Sequence, residues 1–75
     1  MQITDFFVHI DETLSPSALE AIEDELRHDY GVMSAGHRSD QPHLVQIVYD
    51  SDAARITDIV QNFRQHGLHA QAVGL

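Results

Sequence analysis

His43-Leu44-Val45-Gln46-Ile47-Val48-Tyr49 is the stretch on which the fold turns. It is rich in β-branched and aromatic residues, free of glycine and proline, and bounded by turn residues, so it reads as a strand. Side chains in a strand alternate between two faces. Val45, Ile47 and Tyr49 are therefore expected to face a core, with Leu44, Gln46 and Val48 on the opposite side. Just upstream, Ser39-Asp40-Gln41-Pro42 is a turn, and Val32 to about His37 is a shorter strand leading into it.

The pattern extends outward in both directions. Residues 2–10 read as a strand with Thr4, Phe6, Val8 and Ile10 on its apolar face, and Ile3, Asp5, Phe7 and His9 on the other. A helix then starts with Ser15 as N-cap, Pro16 at the first helical position, and Leu14 and Leu19 in the two places of a hydrophobic staple. Leu19, Ile22 and Leu26 recur at helical spacing; Glu20, Glu23, Asp24 and Glu25 are expected on its solvated side. Tyr30-Gly31 ends it. Downstream, a second helix is expected over 53–65, starting at Ser51 or Asp52 and burying Ile56, Ile59, Val60 and Phe63. Gly67 stops it, and Leu68 to about Val73 is a last strand.

The order is strand, helix, strand, strand, helix, strand. Two right-handed crossovers then give an α+β fold of the ferredoxin-like βαββαβ type. Its four-stranded antiparallel sheet has the order 4-1-3-2, with both helices on one face. No linker, repeat or low-complexity segment interrupts the chain, so residues 1–75 are expected to form one domain.

Composition narrows the functions. Twelve Asp and Glu stand against four Arg and no Lys, a formal charge of −8. Such a surface repels phosphate backbones and anionic lipid, which argues against nucleic-acid and membrane partners, and attracts cations or a basic partner. No cysteine is present, which excludes disulfides, thiolate metal sites and cysteine nucleophiles. The first residues lack the basic and apolar regions of a signal peptide, and no stretch approaches a membrane span, so a cytoplasmic location is expected. No nucleophile and base stand at a recognisable spacing and no glycine-rich phosphate loop occurs, so catalysis is not expected.

Gly31-Val32 with Ser34-Ala35 after the first helix, Val45-x-Ile47-Val48-Tyr49-Asp50, the eight residues between Asp50 and Ile59, and Phe63 four residues before Gly67 form a connected pattern. In these features the chain resembles the heavy-metal-associated domains of copper chaperones and metal-transporting ATPases, from about Ile3 to Ala70. The resemblance implies the fold named above and a metal-handling role. That family holds Cu(I) or Zn(II) with a Met-x-Cys-x-x-Cys loop at the start of the first helix. Counting back from Gly31, those cysteines would fall near Ser15 and Ala18, neither of which is a thiolate, so Cu(I) binding by the family's mechanism is excluded here.

Six histidines in 75 residues are the remaining signal. The topology gathers His9, His37, His43, His66 and His69 at one end of the sheet and leaves His28 elsewhere. His9 and His69 are expected on the outer face of adjacent antiparallel strands, opposite each other, where two imidazoles can share an ion. Asp11, Glu12 and His66 are placed to complete a nitrogen-and-oxygen site of the kind that suits Zn(II), Ni(II) or Cu(II). Taken singly, each histidine also reads as an ordinary surface residue. His37 and His43 read as hairpin surface, with His43 alternatively capping the core, and Glu23-Asp24-Glu25 as a solvated helix face. A second expectation concerns the open sheet face: Phe7, Leu44 and Val48 form an apolar patch suited to a homodimer or a partner protein. The two functions, metal handling and protein interaction, stand side by side at this level.

Overall fold

The computed structural model describes residues 1–74; Leu75, the last residue of the expected 1–75 domain, lies outside them. The elements are β1 (Ile3–Ile10), α1 (Pro16–Arg27), β2 (Val32–Gly36), β3 (Leu44–Asp50), α2 (Ile56–Gln65) and β4 (Ala70–Val73). The sheet order is β2-β3-β1-β4, which is 4-1-3-2 read from the other edge, and every pairing is antiparallel. The expected α+β ferredoxin-like fold is what the chain adopts. No helix among the described residues is long and apolar enough to cross a membrane.

β3 is the spine of the sheet, as its sequence implies. Its pairing with β1 sets Phe6 opposite Ile47 and Val8 opposite Val45, so one face of the two central strands is continuously apolar. Phe6, Val8, Ile10, Val45, Ile47 and Tyr49 are buried on that face, and Leu19, Ile22, Leu26, Ile59, Val60 and Phe63 from the two helices close over it. Burying a large apolar side chain stabilises by about 1.5–3 kcal/mol, so this single cluster holds a small domain that has no disulfide. Phe6 and Tyr49 meet edge to face at 5.5 Å, the geometry that aromatic quadrupoles favour.

Ser15 caps α1 as expected: its Oγ accepts the Ala18 N–H at 3.2 Å. At the other end Arg27 donates from Nε and Nη2 to the Ala35 carbonyl at 3.0 and 2.7 Å, fastening α1 to β2. Gly31 follows with φ of +86°, a left-handed conformation that side chains other than glycine resist.

Several boundaries differ from the sequence reading. The second helix begins at Ile56 rather than 53, and neither Ser51 nor Asp52 caps it. Asp50 instead organises a turn: its carboxylate accepts the N–H groups of Gln2 and Asp52, both at 3.0 Å, and its carbonyl accepts those of Ala53 and Ala54. Arg55 is then extended, at φ −116° and ψ 142°, so the helix cannot start before it. β2 ends at Gly36 rather than His37, after a bulge between Val32 and Ser34. β4 begins at Ala70, leaving Leu68 packed beside the core but outside the ladder.

One side chain changes layer altogether. Glu23, expected in solvent, is 1% exposed. It follows Ile22 and lies four residues after Leu19, on the shoulder of the apolar stripe. There the ring of His37 meets it, with Nδ1 donating to Oε2 at 2.7 Å.

Candidate functional site

The end of β1 and the starts of β3 and β4 lie side by side, and this rim carries most of the expected ligands. The register corrects one expectation. His9 stands opposite Gln71, not His69. Asp11 takes the place across from His69, its N–H donating to the His69 carbonyl at 3.0 Å. Just past the ladder, Glu12 Oε1 accepts the His69 N–H at 2.9 Å. His9 and His69 remain on the same face as diagonal neighbours, a relation that separates Cα positions by roughly 7–8 Å in antiparallel pairs.

Glu12 and His69 hold each other. His69 Nδ1 donates to Glu12 Oε2 at 2.6 Å, although the imidazole itself is 81% exposed. The two hydrogen bonds from His69, ring first and backbone second, keep the Glu12 carboxyl below its ordinary value of 4.5. The same carboxylate, by hydrogen bond and then by charge, raises His69 above its ordinary 6.5, and the Asp11 charge adds to the effect.

Next along the rim, His9 Nδ1 lies 3.3 Å from Asp11 Oδ1 without the alignment of a hydrogen bond. The His43 ring stands beside His9, with centroids 6.1 Å apart and planes 20° from parallel. His43 Nδ1 donates to the Ile10 carbonyl at 2.8 Å, and its Nε2 faces the Thr13 hydroxyl at 3.4 Å. His43 therefore belongs to the rim rather than to the hairpin surface. Its offset from Leu44, the residue opposite His9, was the available signal.

Other expected residues are placed elsewhere. His66 Nε2 donates to Glu25 Oε2 on α1 at 2.8 Å, which ties the end of α2 to the first helix instead of joining the rim. His37 is committed to Glu23. His28 follows α1 as its C-cap and donates from Nδ1 to the Asp24 carbonyl at 2.7 Å. Among the described residues no group of three or more His, Asp or Glu side chains is gathered at one point for a metal ion.

On the outer sheet face Phe7, Leu44 and Val48 are half-buried, and no helix among the described residues covers them. Phe7 and Leu44, with Gly36, Arg38, Gln41 and Gln46, line a shallow groove of about 490 Å³.

No protein-family model and no curated protein matches the chain. Solved structures do match in fold. The copper-binding domain from the P-type ATPase HMA7 superimposes with a TM-score of 0.81 at 18% identity, covering 93% of each chain. Oxidized MerP from Ralstonia metallidurans gives 0.81 at 5% identity, over 97% of this chain and all of that one. The apo copper chaperone of Enterococcus hirae gives 0.79 at 15% identity, over 91% and 98%. The fold is that of the heavy-metal-associated domains, carried here by a sequence without cysteine. The positions near which that family's thiolates would fall, Ser15 and Ala18, are joined to each other by the helix-capping hydrogen bond.

Proposed function

We propose that this chain is a non-catalytic metal-handling domain that takes a divalent cation at the sheet rim through imidazole and carboxylate. The ligands are drawn from His9, Asp11, Glu12 and His69; His66 joins only if its pair with Glu25 opens. The observation that carries the reading is the cross-strand placement of Asp11 against His69, with Glu12 bonded to His69 and His9 beside Asp11. Two imidazoles and two carboxylates thus share one edge of a strongly acidic protein. Neutral imidazole with carboxylate suits Zn(II), Ni(II) or Cu(II) and gives soft Cu(I) no thiolate. The likeness in fold to copper-binding domains supports the same class of role. Calorimetric titration with Zn(II), followed by NMR of the imidazole nitrogens, tests it. Saturable binding of one equivalent, weakened in His9→Ala, is expected. Unsaturating millimolar shifts spread over all six histidines would sink it.

A second reading rests on the uncovered face. Phe7, Leu44 and Val48 form an apolar patch of the kind that interfaces use, so the domain also serves as an interaction module, for a second copy or a partner protein. Sedimentation velocity across a concentration series tests self-association: it should be present in the native chain and lost in Phe7→Asp. A strict monomer that also recovers no partner in pull-down removes this reading.

A further inference from the structure

From the bonding along the rim we infer that the cation centre lies between His9 and His43, with Asp11 as the third ligand and His43 as its anchor. This rests on the metal-handling reading and places its site. Both oxygens of the Glu12 carboxylate already accept from His69, at 2.6 Å from the ring and 2.9 Å from the backbone, so that carboxylate is satisfied without a cation. The neighbouring groups have no such obligation. His9 Nδ1 is a buried side-chain nitrogen with no hydrogen-bond partner, and it is the one such atom among the described residues. Buried polar atoms without a partner are rare and call for a ligand, ion or water.

His43 supplies the complementary half. The Ile10 carbonyl can only accept, so His43 Nδ1 carries the proton and Nε2 the lone pair. A backbone carbonyl on the far ring nitrogen is how metal-binding histidines are commonly oriented and made more basic. The group facing that lone pair is a hydroxyl at 3.4 Å, a contact easily displaced.

The three groups do not yet share one focal point. The part that must turn is Asp11, whose side chain is 66% exposed, whereas His9 Nδ1 is buried and His43 is half-buried and held. Two imidazoles, one carboxylate and a remaining position for water describe a borderline divalent ion with an open site.

The test is Zn(II) titration of the full chain, read by long-range nitrogen–proton NMR of the imidazole rings and by calorimetry. Coordination at His9 and His43 together at one equivalent is expected, with affinity roughly 10- to 100-fold weaker in His43→Ala. His43→Asn guards against misfolding, because its amide nitrogen takes the place of Nδ1 and still donates to the Ile10 carbonyl; it should fold normally and show the same loss. If Zn(II) binds stoichiometrically and both His43 variants match the native chain, this placement is wrong and the metal reading survives. If no saturable binding occurs at all, both fall.

Discussion

Glu23 Oε2 and His37 Nδ1 lie 2.7 Å apart beneath the end of β2, with the glutamate 1% exposed and the histidine side chain 16% exposed. The pair joins the middle of α1 to the residue where β2 leaves the sheet, next to the Arg27–Ala35 fastening. A carboxylate withdrawn from water needs a hydrogen-bonding partner, and His37 is the one that reaches it.

His37→Ala should therefore cost about 3–5 kcal/mol, the usual penalty for leaving a buried charge without its partner. Glu23→Gln should cost less, about 0.5–1.5 kcal/mol, because the amide oxygen still accepts from the ring. Urea denaturation of the two variants checks the ordering. A His37→Ala midpoint indistinguishable from the native one would mean that the pair contributes nothing.

This pair also shows where the sequence stops being legible. Alternation in β1 and β3 and the 3.6-residue spacing of Leu19, Ile22 and Leu26 are local signals, and they determined the fold because a small core leaves them one consistent arrangement. Glu23 sits on the same stripe as those leucines, but residue type outweighed position in reading it; only the arrival of His37, 14 residues away, makes its burial tolerable. The rim has the same character. That the histidines gather at one end follows from topology. Whether His9 meets His69 or Gln71 depends on the register of a four-residue strand, and the contact beside it joins His69 to Glu12, 57 residues away.

Two glycines separate backbone strain from crowding. Gly31 and Gly67 both have positive φ, +86° and +80°. A Cβ on Gly31 would lie 2.9 Å from the Ala54 Cβ and 3.1 Å from the Ala53 Cβ, while one on Gly67 meets nothing within 4 Å. Gly67→Ala should thus lose only the backbone term, about 1–2 kcal/mol. Gly31→Ala adds overpacking of about 1–3 kcal/mol against the turn before α2. Equal losses in thermal melts would show that the Ala53–Ala54 turn yields freely.

Asp50 should matter in acid. Its two backbone hydrogen bonds, from Gln2 first and Asp52 second, lower its carboxyl below the ordinary 3.8. A group lowered on folding stabilises fully above its unfolded value and loses that contribution as pH falls through the folded one. Melting temperatures of the native chain and Asp50→Ala should accordingly differ most above pH 3.8 and converge below it. A constant difference across that range would assign the effect to something other than the carboxylate's charge.

The Glu12–His69 pair has a window rather than a threshold. Glu12 is lowered from 4.5, so its contribution is present above that value and fades as pH falls through the folded one. His69 is raised from 6.5, so its contribution is complete below that value and is lost as pH rises through the folded one. The same hydrogen bond is seen from both ends, so the clasp between β4 and the loop after β1 is tightest between about pH 4.5 and 6.5 and loosens on either side. Imidazole NMR should place the His69 midpoint above 6.5 in the native chain and closer to 6.5 in Glu12→Gln. A His69 midpoint that does not move when Glu12 is neutralised would show that the 2.6 Å contact does not persist in solution.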